Sequence, residues 1–167
     1  SDSVIGTSSL RRAVQISRKR SDVKVKPVRG NIETRINKVI DDKFDAVVLA
    51  HAGISRLDLD VKYSILSTAD FPPSPGQGAL AIVCRAEDDK TITMLKKIED
   101  KKSRAEIEAE RALSEYVESG CRFPVGALAV ANSTALKLTV TAYSVDGKIS
   151  IKLEKTGDVD KPKNLGQ

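Results

Sequence analysis

The residues best equipped for chemistry lie near the start of the chain. Gly6-Thr7-Ser8-Ser9-Leu10-Arg11-Arg12 joins a short apolar strand, Val4-Ile5, to a helical pattern. A strand-to-helix turn leaves backbone N–H groups unpaired and makes a ready anion site. Thr7 and Ser8 add hydroxyls, as donors or as a helix cap. Arg11 and Arg12 fall in the first helical turn, where each positive charge opposes the helix dipole by roughly 0.3–1 kcal/mol. A bound anion would offset that cost; arginines that simply point into solvent are the alternative.

The pattern recurs. Arg29-Gly30-Asn31 precedes the next helix, Arg35 lies near its first turn, and Ser55-Arg56 follows the third strand. In an open α/β sheet such loops share one edge, so Arg11, Arg12, Arg29, Arg35 and Arg56 are expected to converge there. The planar, bidentate arginine fork suits carboxylates. Phosphate fits less well, because neither GxxxxGK[ST] nor GxGxxG is present. Arg18, Lys19 and Arg20 stand at the far end of the first helix and read as a solvated end that suits the dipole.

Charge distribution supports a local partner. The chain of 167 residues has a net charge of +5, yet residues 1–43 hold 11 Lys and Arg against 5 Asp and Glu, and the rest hold 17 against 18. A sequence pI near 9.2 keeps nucleic acid open,. Aromatics are only 4%, with no platform beside the arginines, which argues against stacking on single strands,. With 40% hydrophobic and 31% charged residues the composition is that of a globular chain,. No apolar run approaches the roughly 20 residues of a membrane span. No leader pattern is seen.

Sulfur and imidazole are scarce. Cys84 and Cys121 lack CxxC spacing, which argues against a metal site or a disulfide framework and for a reducing cytoplasm,. Cys121 follows Glu118-Ser119-Gly120 and precedes Arg122, a loop setting beside a cation that favours thiolate character and access. An ordinary loop cysteine is the alternative. Cys84, on an apolar run, reads as core. His51, the single histidine, follows a buried strand; packing, hydrogen bonding and catalysis all stay open for it. No Ser/His/Asp or Cys/His set and no convincing carboxylate pair is evident.

The elements that must position these groups alternate. Strands are expected at Val4-Ile5, Val23–Val28 and Ala46–Ala50. Helices are expected at Ser8–Arg20, at Ile32–Ile40 capped by Asn31, and at Ala52–Leu57. The inward residues would be Leu10, Ala13, Val14 and Ile16, then Ile32, Ile36, Val39 and Ile40. This order predicts a parallel α/β sheet. Phe71–Gly78 (FPPSPGQG) is a breaker run and a candidate hinge. A lone apolar strand, Ala79–Cys84, and a helix over 91–98 follow. Ser103 with Glu106 predicts a capping box for a long helix with Ala105, Ala109, Ala112, Leu113, Tyr116 and Val117 inward, stopped by Gly120. Three strands close the chain, near 126–131, 136–143 and 149–155, with a hairpin at Asp146-Gly147. Because a strand end sits at residue 4 and the chain does not begin with Met, a preceding segment is expected.

Five stretches, in order, resemble the porphobilinogen deaminase (hydroxymethylbilane synthase) family: GTSSLRR (6–12), RGNIETR (29–35), DAVVLAHAGISRL (45–57), PGQGALAIVCRAED (75–88) and RAEIEAERALSEYVESGCRFPVGA (104–127). The resemblance implies a cytoplasmic transferase of three domains, monomeric when complete, the first two of periplasmic-binding-protein type. It implies condensation of four porphobilinogen molecules into hydroxymethylbilane with release of ammonia. A dipyrromethane cofactor would be held by a thioether at Cys121, with Ser8, Ser9, Arg11, Arg12, Arg29 and Gly30 around it. Arg11, Arg35, Arg56 and Thr7 would bind substrate. By the same resemblance, residues 1–74 are a periplasmic-binding-protein-like parallel α/β domain with basic loops. Residues 75–100 are a crossover belonging to an N-terminal domain absent from this sequence, and 101–167 are a small α+β domain with a three-stranded sheet. The family's Gly-Gly-Cys is Ser119-Gly120-Cys121 here. The catalytic aspartate has no counterpart, so no catalytic residue is assigned, and incomplete catalysis is expected of this chain alone. No metal, membrane or nucleic-acid partner is implied. A non-catalytic anion- or solute-binding module and, after it, a nucleic-acid-binding module are the rival readings.

Overall fold

A computed structural model describes residues 2–117 and 124–167. Cys121 and the expected helix stop at Gly120 lie outside the described residues. The elements are β1 (Val4–Gly6), α1 (Leu10–Lys19), β2 (Lys24–Lys26), α2 (Ile32–Ile40), β3 (Ala46–Val47), α3 (His51–Arg56), α4 (Asp89–Lys96), α5 (Lys101–Tyr116), β4 (Val125–Ala131), β5 (Ala135–Tyr143), β6 (Ser150–Asp158) and α6 (Pro162–Gly166). The described residues gather into two compact units. One holds 2–73, 124–126 and 141–152; the other holds 74–117, 127–140 and 153–167.

In the first unit, β2-β1-β3 form a parallel sheet with β1 in the centre. Val4 pairs with Lys24 and Ile5 with Val25 on one side, and Ile5 with Ala46 on the other. Parallel neighbours need crossovers, and α1 and α2 provide them, which sends every following loop to the same edge. Ser9 caps α1 by accepting from the Arg12 amide, so the cap is neither Thr7 nor Ser8. Asn31 caps α2 as its side chain predicts, accepting from Thr34 N at 2.8 Å.

The inward face of α1 differs from the apolar stripe. Leu10 is exposed, whereas Arg11, Val14, Gln15 and Ile16 are buried. Ile40 of α2 is exposed as well. β3 is shorter than its apolar run, and Ala46 is exposed. The residues of an apolar run are buried only where another layer covers them, and at β3 the cover is partial, leaving Val47 half-buried.

In the second unit, a core of Ala109, Ala127, Ala129, Ala131, Leu136, Leu138 and Leu165 joins α5, α6 and the strands β4 and β5 of the sheet β4-β5-β6. This sheet is antiparallel. The Asp146-Gly147 turn forms as expected, with Gly147 at φ +71°. The cap of α5 is Asp100, which accepts from Ser103 N at 2.6 Å, so Ser103 lies inside the helix and makes no capping box. Glu106 accepts from Ala131 N of β4 instead. Tyr116 and Val117 are exposed, outside the alanine stripe. The expected strand at 79–84 is absent. Leu80, Ile82 and Val83 are exposed and Cys84 is half-buried, not core. A strand is stable only when its N–H and C=O groups meet a neighbour, and none lies beside this segment among the described residues. The short helix α6 was not expected from the pattern. It packs on α5 through Gly166, where a Cβ would come within 2.4 Å of the Ala109 carbonyl.

Candidate functional site

The loops after β1, β2 and β3 meet at the C-terminal edge of the parallel sheet and tie to one another. Thr7 N donates to Lys26 O at 2.9 Å. Ser8 Oγ donates to Val28 O at 2.7 Å and accepts from Val28 N at 3.1 Å. Thr7, buried, accepts from Ser9 N through its hydroxyl at 3.2 Å. The hydroxyls of Thr7, Ser8 and Ser9 therefore hold the turn from which α1 starts. Gly30 lies at φ +120°, a left-handed position that favours glycine, and a Cβ there would meet Thr34 at 2.7 Å,.

Three of the five expected arginines act on one another at this edge. Arg12 is half-buried, donates to Val48 O at 3.2 Å, and has its pKa lowered by burial and by the charge of Arg35. Arg35 donates through Nε to Gly30 O at 2.8 Å. Arg11 is buried, and burial with the nearby Arg12 charge brings its pKa down to about 10. Its guanidinium donates to Pro72 O at 2.5 Å and to Gln15 Oε1 at 3.3 Å. Arg29 is exposed on the loop before α2, and Arg56, expected in a loop, is exposed at the C-terminal end of α3. Among the described residues, Arg12, Arg29, Arg35 and Arg56 make no ion pair, although cations elsewhere do, as with Lys19–Asp70 and Arg104–Glu108. Of those four, Arg12 and Arg35 are close enough to act on one another, and neighbouring cations without an acidic partner among the described residues raise the local positive potential,. His51 stands at the start of α3 and its Nε2 lies 3.1 Å from the Tyr63 hydroxyl.

Three buried or long-range polar contacts come from residues that the sequence motifs do not single out. Gln15 is buried and donates to Pro72 O at 2.9 Å; its signal was a polar residue inside the α1 stripe. Glu110 is buried and accepts from Gly76 N at 2.6 Å and Ala129 N at 2.8 Å. Burial raises its pKa against the opposing effect of those two amides. Arg18 is not a free solvated end. It donates to Gly147 O, to Lys148 O at 3.1 Å and to Ser150 Oγ at 2.8 Å, and lies 5.9 Å from the centre of the Tyr143 ring.

The fold defines a class: a mixed α/β protein with a three-stranded parallel sheet, basic at its C-terminal edge, and a three-stranded antiparallel sheet. Comparison with known proteins makes this specific. The family model described as porphobilinogen deaminase, dipyromethane cofactor binding domain, matches residues 1–93, and the porphobilinogen deaminase C-terminal domain matches 104–167. The chain belongs to the porphobilinogen deaminase family. It is 70% identical over 165 residues to a probable porphobilinogen deaminase of Nitrosopumilus maritimus, covering 99% of this chain and 53% of the relative. It is 42% identical to the porphobilinogen deaminase of Desulforudis audaxviator, covering 98% of this chain and 53% of that one. With the porphobilinogen deaminase of Sorangium cellulosum the identity is 46%, over 86% of this chain and 48% of the relative. The chain spans about half the length of the curated relatives it matches. Among the described residues, no helix is long and apolar enough to cross a membrane.

Proposed function

We propose that this chain supplies the carboxylate-gripping and cofactor-bearing part of a transferase that condenses four porphobilinogen molecules, head to tail, into hydroxymethylbilane with release of ammonia. The observation that carries this is the group of Arg11, Arg12 and Arg35 at one sheet edge, with no carboxylate paired to Arg12 or Arg35 among the described residues. Acetate and propionate groups along a polypyrrole are the multiple anions such an edge suits, and arginine forks bind them bidentately. Ser8, Ser9, Arg11, Arg12, Arg29 and Gly30 would surround a dipyrromethane. Thr7, Arg11, Arg35 and Arg56 would take incoming substrate. The donor set fits a dipyrromethane, which bears carboxylates and no metal-binding demand on these residues. When bound, that group supplies the primer from which the polypyrrole grows.

Cys121 is the attachment point in this proposal, through a thioether. Residues 1–74 form a periplasmic-binding-protein-like domain, 75–100 cross back to an N-terminal domain, and 101–167 form the C-terminal domain. The exposed apolar run Leu80–Val83 supports the crossover, since such a run gains burial only by pairing with further strands,. Proton transfer at the reacting centre belongs to that N-terminal domain. The complete enzyme is cytoplasmic and monomeric.

The test is intact mass spectrometry of the chain, alone and joined to the N-terminal half of the Nitrosopumilus maritimus relative, after supply of hydroxymethylbilane. A dipyrromethane adduct that Cys121→Ser abolishes is expected in the joined protein. An unmodified Cys121 there refutes the attachment.

A further inference from the structure

We propose that Gln15 is a positioning residue whose amide keeps the Pro72 carbonyl bonded while Arg11 turns from that carbonyl to a ligand carboxylate. Two donors converge on Pro72 O: Arg11 Nη1 at 2.5 Å and Gln15 Nε2 at 2.9 Å. Gln15 also accepts from Arg11 at 3.3 Å, so its single amide serves both neighbours. The side chain is 2% exposed, which removes water as a substitute donor. Pro72 is confined from another side as well. A Cβ on Gly126 would come within 2.8 Å of both its ring and its carbonyl oxygen.

A carbonyl left without a donor in such a place loses its full hydrogen-bond compensation. Were Arg11 the sole donor, its departure toward a ligand would orphan Pro72 O. With Gln15 in place that oxygen stays satisfied when Arg11 exchanges this bond for a ligand carboxylate. Arg11 also has a reason to exchange, because burial beside Arg12 disfavours its cationic form where it now sits. The residue type suits the task. Leucine offers no donor, glutamate would pair with Arg11 and hold it, and lysine would repel it. Pro72 is the second residue of the breaker run, and the same amide keeps it bonded to α1 while the arginine moves.

This rests on the carboxylate reading of the basic edge. The experiment titrates the chain with porphobilinogen by calorimetry, for wild type, Gln15→Leu, Gln15→Glu, Arg11→Ala, Arg35→Ala and Arg11→Ala/Gln15→Leu. Gln15→Leu is expected to weaken binding on the order of 10-fold, or ~1.4 kcal/mol, while circular dichroism keeps its native form. Gln15→Glu, which keeps the shape and oxygen but immobilises Arg11, is expected to weaken it similarly and guards against misfolding of the leucine variant. In the Arg11→Ala background Gln15→Leu should cost no further affinity. A purely structural role would lower the melting temperature and leave that coupling absent. Equal loss in both backgrounds, or unchanged affinity of both Gln15 variants, overturns the proposal. If Arg35→Ala still weakens binding in that case, the carboxylate reading stands; absence of any binding by wild type sinks both.

Discussion

At the residue scale the basic edge is a set of side chains with divided duties. Ser8 and Ser9 hold the turn, Gly30 lets the β2–α2 loop pass Thr34, and Arg12 and Arg35 present charge. Arg35 is fixed by one N–H on Gly30 O, which leaves the rest of its fork for a ligand. Arg35→Lys keeps the charge but loses both the anchor and the fork. A fall in porphobilinogen affinity of about 10-fold is expected, measured by calorimetry, and equal affinity would remove Arg35 from the site. Gly30→Ala is expected to destabilise the chain by about 1–3 kcal/mol in urea unfolding, because it puts a Cβ on a left-handed residue against Thr34,. Arginine type and spacing pointed to Arg11, Arg12 and Arg35, which the structure brings near one another. Gln15 and the Pro72 carbonyl stayed hidden, because a backbone oxygen 57 residues away leaves no trace in a local pattern.

At the element scale the helices act through polar residues as much as apolar ones. α5 reaches β4 with Glu106 and Glu110, which accept from Ala131 N and Ala129 N, and Glu110 also takes Gly76 N. Two oxygens thus answer two amides. Glu110→Gln leaves one oxygen and one of those amides unpaired, and a loss of about 1–3 kcal/mol is expected in the denaturation midpoint. The pH dependence has a definite sign. Burial raises the folded pKa of Glu110, so between its ordinary value and the raised one the folded state holds more protons than the unfolded. The contribution is therefore complete below the unfolded pKa and is lost as pH rises through the folded one. Stability of Glu110→Gln should lose this component, and an unchanged pH profile would show that Glu110 does not titrate so. Helix α2 and the three C-terminal strands were legible from period and turn chemistry. The α5 cap was not, since Asp100 starts the helix three residues earlier by accepting from Ser103 N.

At the scale of the whole molecule the distribution of exposed apolar residues is informative. Leu80, Ile82 and Val83 are 76%, 61% and 91% exposed, so they contribute little to the stability of this chain. Leu80→Ser and Val83→Ser are expected to leave its unfolding midpoint within about 0.5 kcal/mol of wild type. Both should weaken association with the N-terminal half of a relative, measured by calorimetry. A large stability loss in the chain alone would show instead that the segment is already packed.

The sequence by itself determined the alternating elements, the basic loops on one sheet edge and the kinship carried by five ordered stretches, because periodicity, capping and motif residues act over short spans. Tertiary structure alone decided which polar groups were buried and what they bonded. Arg11 and Gln15 turned inward to one carbonyl, Glu110 linked a helix to a strand and a distant turn, and Ala79–Cys84 formed no strand with the described residues. Burial and hydrogen-bond satisfaction depend on what arrives from far along the chain, and local pattern holds no record of that.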